Sequence, residues 1–317
     1  MRVLVTGAAG FAGCHLAQAL LAEGHEVWGT LQSGHAPPRE PAGVRWAAME
    51  LTSADSIARA MGETRPERVF HLAAQASVAN SFDDPEATWE VNATGTLRLV
   101  SALPEGARML FISSSEVYGV VPDAGQPIRE AAPPRPGNPY AASKAAAEMA
   151  VLEAALGHAN AHAVIARSFS HTGPGQDNRF ALAAFARQLA RIAAGLDAPV
   201  LRVGNLEARR DYLDVRDVVR AYLLLMERGV PGEIYNVASG EPYRLGELLE
   251  MLIELSGTGA RVEVDPARVR PVDVPLLSGN SSALRALGWA PEIPLRQTLA
   301  DLLRHEQAAL PAAAEAV

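Results

Sequence analysis

Tyr140 and Lys144 stand four residues apart in the run Asn138-Pro139-Tyr140-Ala141-Ala142-Ser143-Lys144, a spacing that on a helix sets both side chains on one face. An ammonium beside a phenol lowers the phenol's pKa, so the pair could exchange a proton with a hydroxyl or carbonyl near neutral pH. The same two residues on an exposed helix would be an ordinary amphipathic pair. Upstream, Ser113-Ser114-Ser115-Glu116-Val117-Tyr118-Gly119 closes an apolar run. Serines at a strand end are common turn formers. Ser114, however, falls at the carboxyl edge where open α/β sheets bind ligands, and can hydrogen-bond a reacting oxygen there.

A second constellation lies near the N-terminus, where Gly7-Ala8-Ala9-Gly10-Phe11-Ala12-Gly13 follows an apolar triplet and leads into a helical pattern. Glycines at GxxGxxG spacing let the backbone turn sharply and approach a pyrophosphate, and the helix N-terminus offers unpaired amides to the anion. The position after a strand and before a helix is the context that a dinucleotide-binding loop requires. An NAD site usually adds an acid at the end of the second strand. Here that end reads Val27-Trp28-Gly29-Thr30-Leu31-Gln32-Ser33, without one. Its absence removes repulsion against a 2′-phosphate and tips the expectation from NAD toward NADP, although no arginine stands in the stretch to bind the phosphate. Glu50, in Met49-Glu50-Leu51 after the third strand, can accept from an adenine amino group.

These residues must be positioned by elements, and the first half alternates short apolar runs with helical stretches. Strands are predicted at 3–5, 26–28, 44–46, 68–72, 109–113 and 163–166, and helices at 11–22, 53–61, 85–103 and 140–156. That alternation is the pattern of an α/β fold with a doubly wound parallel sheet. After about residue 168, turns such as Thr172-Gly173-Pro174-Gly175 break the alternation and begin a smaller second domain. A helix and strand over about 211–237 could rejoin the sheet. The expected division is therefore 1–168 plus about 211–237 for the dinucleotide, and about 169–210 plus 238–317 for a substrate. The alanine-rich tail from residue 308 is expected to fray.

Composition excludes several classes. In 317 residues, 49% are hydrophobic and 20% charged, which argues for a compact globular protein rather than a disordered one. A net charge of −8 opposes broad phosphate-backbone binding, so no nucleic-acid partner is expected. The single cysteine, Cys14, cannot close an internal disulfide or build a thiolate metal site, and fits a reducing compartment. With neither a signal-like start nor a membrane-length apolar run, the reading is a soluble cytoplasmic protein with no membrane partner and no metal.

Taken together, the glycine loop, the YxxxK pair, His71-Leu72-Ala73-Ala74-Gln75, Val91-Asn92-Ala93-Thr94-Gly95-Thr96 and Arg210-Asp211-Tyr212-Leu213-Asp214-Val215 resemble the extended short-chain dehydrogenase/reductase family of nucleotide-sugar enzymes, over nearly all of the chain. Within it, His171-Thr172-Gly173-Pro174-Gly175-Gln176, Arg270-Pro271-Val272-Asp273-Val274 and Leu287-Gly288-Trp289 are most similar to the branch handling GDP-mannose derivatives. The resemblance implies a Rossmann-type sheet with a smaller C-terminal α/β substrate domain, NADP or NAD as cofactor, a GDP-sugar or other NDP-sugar as substrate, and a homodimer joined by helices 85–103 and 140–156 as a four-helix interface. It implies cofactor contacts from Gly7, Gly10, Phe11, Ala12, Gly13, Thr30, Glu50, Leu51, Leu72, Ala73, Ala74, Tyr140, Lys144 and His171. The substrate contacts it implies are Ser77, Ser114, Ser170, Arg210 and Arg270, with Ser170 standing where the family usually has asparagine.

The activity implied first is reduction of the C4 carbonyl of a GDP-4-keto-6-deoxymannose, with Tyr140 as proton donor and Ser114 steadying the oxygen. The alternatives are 4,6-dehydration of GDP-mannose with Glu116 as the C5 base, 4-epimerisation of a UDP-hexose, and a catalytically silent NADP-sensing or scaffold role.

Overall fold

The computed structural model describes residues 1–36, 41–157, 161–266 and 274–310. Seven strands, β1 (Arg2–Thr6), β2 (Glu26–Leu31), β3 (Arg45–Ala48), β4 (Arg68–His71), β5 (Arg108–Ser114), β6 (His162–Ser168) and β10 (Ile234–Val237), form one parallel sheet. Their order is β10-β6-β5-β4-β1-β2-β3, so the order reverses beside β1, where open parallel sheets leave a crevice for a ligand.

Period-two alternation sorts each strand between two cores. Val3, Val5, Leu110, Val164 and Ala166 face α1 (Phe11–Ala22) and α8 (Val215–Arg228). Leu4, Met109, Phe111, Ala163 and Ile165 face α2 (Ala54–Thr64), α5 (Gly95–Ser101) and α6 (Pro139–Leu156). Full burial of each Leu, Ile, Val or Phe contributes about 1.5–3 kcal/mol.

Helix ends follow local chemistry. Ser53 caps α2 by accepting from Ser56 N, and Asn138 caps α6 by accepting from Ala141 N with Pro139 in the first turn. The stretch 85–103, expected as one helix, divides into α4 (Pro85–Trp89), a π-helical turn (Glu90–Thr94) and α5. A short α3 (Val78–Asp83), not anticipated from the sequence, precedes them.

A smaller sheet joins β9 (Arg209–Asp214) to β7 (Ser170–Thr172), β11 (Pro242–Arg244) and β13 (Leu276–Leu277), and β8 (Val200–Val203) pairs with β12 (Arg261–Val264). A separate core unites α7 (Ala181–Ala193), α9 (Leu245–Ser256) and α11 (Leu295–Ala308).

Two boundaries shift from expectation. Because β9 stays in the small sheet, the return to the large one begins with α8 at Val215 rather than at 211. Near the end, Leu284 of α10 (Ser282–Ala286) and Trp289 pack into the large-sheet core, with Trp289 Nε1 donating to Asp217 O at 3.0 Å. Residues 238–317 are therefore not all part of the second unit. The tail is helical to Ala308, and 311–317 lie outside the described residues. Among the described residues no helix is long and apolar enough to cross a membrane.

Candidate active site

The glycine loop is folded as tightly as its residues allow. Gly7 has φ +73°, and a Cβ there would stand 2.9 Å from Ala73 N. A Cβ on Gly13 would come within 2.1 Å of Gly7 O, so only glycine lets α1 start against the loop. α1 begins at Gly10 with no side-chain cap and no acid in its first turn. Its first amides are therefore open to an anion, which fits a dinucleotide pyrophosphate.

Other expected cofactor residues surround this loop. Phe11 stacks on His171 of β7 with ring centroids 6.0 Å apart and meets His15 edge-on at 5.6 Å. His171 Nδ1 lies 3.1 Å from Phe169 O, and burial lowers the ring's pKa. Thr30 is buried near the end of β2. The acid absent from that strand end is brought there by Glu50, whose Oε1 accepts from Ser33 N at 2.7 Å. Ala12, Leu72, Ala73 and Ala74 are half-buried along the crevice. Leu51, by contrast, is buried in the core with Ile57 and Leu99.

Ser114 ends β5, and Tyr140 and Lys144 occupy the first turns of α6. Ser114 lies near enough to the Tyr140 hydroxyl to favour its ionised form. The Ser114 Oγ accepts from Glu116 N at 3.2 Å, and Glu116 Oε2 accepts from Asn138 Nδ2 at 3.3 Å. Lys144 is buried, its Nζ 4.2 Å from the Phe111 ring centroid.

The expected lowering of the phenol by the ammonium is not found. Burial pushes Tyr140 up to about 12, Ser114 opposes this and the Glu116 charge adds to it. Lys144 instead moves down to about 7 through burial, with the Glu148 carboxylate pulling the other way. The cause is burial of both groups, with Lys144 lying over Phe111 and Glu116 the charge that acts on the phenol.

A polar chain behind these groups was not legible as such from the sequence. Ala73 N donates to Thr6 Oγ1 at 3.0 Å, and Thr96 Oγ1 donates to Asn92 O at 2.6 Å. The Thr96 hydroxyl spends its proton on Asn92, so His71 Nε2 donates to Thr96 Oγ1 at 3.0 Å, while His71 Nδ1 lies 2.7 Å from Thr6 Oγ1. Burial first and the Lys144 charge second lower the His71 pKa to about 3, so the ring is neutral and its Nδ1 accepts from Thr6 Oγ1. The π-helical turn aims Asn92 inward, where Oδ1 accepts from Gln75 N at 2.8 Å and Nδ2 donates to Ser143 Oγ at 3.0 Å and to Gln75 O at 3.1 Å. The chain therefore runs from the glycine loop to the residue beside Lys144.

The expected substrate residues are less concentrated. Ser77 caps α3, accepting from Asn80 N at 3.2 Å and donating to Asn80 Oδ1 at 3.0 Å. Ser170 opens β7 next to His171. Arg210 lies on β9 and donates to Arg209 O at 3.0 Å and to Val274 O. Its neighbour Asp211 is a structural latch, accepting from Ser239 N and Oγ, Gly240 N and Gly279 N. Arg270 lies outside the described residues. Among the described residues no group of three His, Cys, Asp or Glu could hold a metal.

Two further features went unread in the sequence. Ser113 and Arg167 occupy the strand phase that faces α6, and an arginine in that buried phase demands a carboxylate, here Glu148. Lys144 is also the only lysine in the sequence, every other residue of the 28 Lys+Arg being arginine.

The sequence profile described as GDP-mannose 4,6 dehydratase matches residues 4–302. The chain belongs to that family. It is 40% identical over 306 residues to "GDP-6-deoxy-D-mannose reductase" of Pseudomonas aeruginosa, covering 95% of this chain and 96% of the relative. To a "GDP-mannose 4,6-dehydratase" of Vibrio cholerae it is 31% identical, covering 95% and 92%. The structure of RMD from Pseudomonas aeruginosa complexed with NADPH superposes with a TM-score of 0.84 at 36% identity, over 98% of this chain and 100% of that one. The GDP-mannose 4,6-dehydratase family thus brings the extended short-chain dehydrogenase/reductase fold and NAD(P) as its cofactor, since similar solved proteins hold NADPH or NAD.

Proposed function

We propose that the protein reduces the C4 carbonyl of a GDP-4-keto-6-deoxymannose to the alcohol. The observation that carries this reading is the meeting of Ser114 at the end of β5 with Tyr140 and Lys144 in the first turns of α6, where burial pushes the phenol up and leaves it a proton to give. A reduction needs a proton donor there, whereas an oxidation-first reaction needs the phenolate. The 40% identity to a reductase, against 31% to a dehydratase, supports the same direction.

When bound, NAD(P)H supplies the hydride that reaches the carbonyl carbon. The loop of Gly7, Gly10 and Gly13 and the open start of α1 would hold its pyrophosphate. Ser114 donates to the carbonyl oxygen and polarises it. Tyr140 gives its proton to that oxygen, and the Lys144 ammonium stabilises the phenolate left behind until solvent reprotonates it. Arg210 and Arg270 are suited to the sugar-nucleotide diphosphate, and Ser77 and Ser170 to its polar rim.

The division of labour assigns the large sheet with α8 and β10 to the cofactor and the small sheet with α7 to the sugar. Exposed Trp89, Leu97 and Met149 on α4, α5 and α6 support a homodimer through those helices, and the reducing environment suited to Cys14 supports a cytoplasmic enzyme.

Dehydration of GDP-mannose is the second reading, because Glu116 carries its carboxylate beside Tyr140. Anaerobic incubation of purified protein with GDP-mannose alone, and with the 4-keto-6-deoxy sugar plus NADPH, separates the two. NADPH oxidation with a gain of two hydrogens on the keto sugar is the expected result. Loss of water from GDP-mannose without net cofactor use would overturn it, and Glu116→Gln would then abolish turnover instead of leaving it within about tenfold of the parent.

A further inference from the structure

One helical turn beyond Lys144, on the same buried face of α6, lies Glu148, with no solvent exposure. Its Oε1 accepts from Ser113 Oγ at 2.5 Å and from Arg167 Nε at 2.9 Å, and its Oε2 accepts from Arg167 Nη2 at 2.7 Å. Ser113 is the neighbour of Ser114 on β5, and Arg167 the neighbour of Ser168 at the end of β6. The guanidinium continues to Glu130 O at 3.2 Å and lies 4.7 Å from the Tyr118 ring centroid. One carboxylate thus fastens α6 to the two strands whose ends carry the site.

Stability does not account for this choice. Burying an ion pair costs several kcal/mol per ion before the charges attract, and well-packed apolar side chains at such positions are often as stabilising or more so. What an apolar pair cannot supply is negative charge one turn from a buried ammonium. Among the other groups around that ammonium, the Phe111 ring of β5 favours its charge by offering its face, and His71 of β4 is kept neutral by burial. Tyr140 on α6 holds its proton, Glu116 in the turn after β5 is bonded to Asn138, and Arg167 stands on the far side of Glu148.

We propose that Glu148, clamped by Arg167 and Ser113, is the positioning residue for Lys144, keeping its ε-ammonium charged over Phe111 in an otherwise dry site. This rests on the reading of Lys144 as the cation of the proton-transfer site. Burial alone drives the ammonium toward neutrality, and the Glu148 carboxylate opposes it. Arg167 pairs with Glu148 at 2.7 Å, so the clamp itself adds no net charge to the core.

The single lysine makes the test direct. Protein grown with 13Cε-labelled lysine gives one side-chain resonance, whose shift follows the charge on Lys144 across pH without substrate or turnover. In Glu148→Gln the titration midpoint is expected to fall by about one pH unit, a tenfold change in the protonation equilibrium. In Arg167→Met, which leaves Glu148 unneutralised, it is expected to rise. A structural tie would cost both variants thermal stability without moving the midpoints in opposite directions. Should Glu148→Gln not fold, Glu148→Gln/Arg167→Met removes both charges together, and the lowered midpoint is expected there. An unchanged midpoint in a folded variant lacking Glu148 overturns the proposal. Absence of reductase turnover in the parent, by contrast, leaves the titration readable and refutes only the assigned reaction.

Discussion

Replacing Tyr140 by phenylalanine keeps the ring beside Ser114 and removes only the proton it donates. Turnover of the keto sugar is expected to fall by about 10²–10⁴-fold, with NADPH affinity, followed by nicotinamide fluorescence, within a factor of about three of the parent. Glu50 allows a different test. Its carboxylate, seated on the Ser33 amide, occupies the strand end where an acid ordinarily meets the ribose hydroxyls and disfavours a 2′-phosphate. Glu50→Gln is therefore expected to shift the ratio of NADP to NAD affinity toward NADP by roughly fivefold, as a partly exposed charge would; an unchanged ratio in parallel titrations would remove Glu50 from cofactor choice. Single residues with a fixed spacing, Tyr140 with Lys144 and the three loop glycines, were legible from the sequence because local geometry alone decides what they share. Glu148 with Arg167, and Glu50 with Ser33, were not, since one pair joins a helix to a strand and the other joins the segments that follow two neighbouring strands, contacts that only the folded chain makes.

Among elements, the polar chain through Thr6, His71, Thr96 and Asn92 ties β1 and β4 to α5 and α6 through one neutral imidazole. In the folded protein burial lowers the His71 pKa to about 3, against 6.5 for an exposed imidazole. The unfolded chain therefore takes up a proton that the native state refuses. The native advantage is complete above pH 6.5 and is lost as pH falls from 6.5 toward 3, by about 2 kcal/mol at pH 5. Urea unfolding at pH 7.5 and pH 5 is expected to show that loss, and His71→Gln to show less of it; equal pH slopes for both would mean another group is responsible. The strands and helices of the large sheet followed from hydrophobic periodicity, since a parallel sheet buried on both faces writes its cores directly into the chain. The π-helical turn at Glu90–Thr94 was hidden, because composition over 85–103 is helical throughout. What interrupts it is the demand of Gln75 and Ser143 for the Asn92 amide, a tertiary contact.

At the scale of the whole molecule, exposed Trp89, Leu97 and Met149 on α4, α5 and α6 present the kind of apolar surface that a second copy covers. Light scattering is expected to give twice the 33.5 kDa chain mass. Leu97→Asp with Met149→Asp is expected to halve it, and an unaltered mass in that variant would move the interface elsewhere. The smaller sheet was the least legible part of the fold: its short strands β7, β9, β11 and β13 are held by the Asp211 latch more than by any pattern of their own. The lone lysine has a consequence outside catalysis. A protease that cuts only after lysine has one bond to attack in this chain, yielding pieces of 144 and 173 residues. That bond is inside α6, with Lys144 packed against Phe111. The native protein should therefore resist such a protease, and the rate at which the two pieces accumulate would count, molecule by molecule, how often the central helix lifts off its sheet.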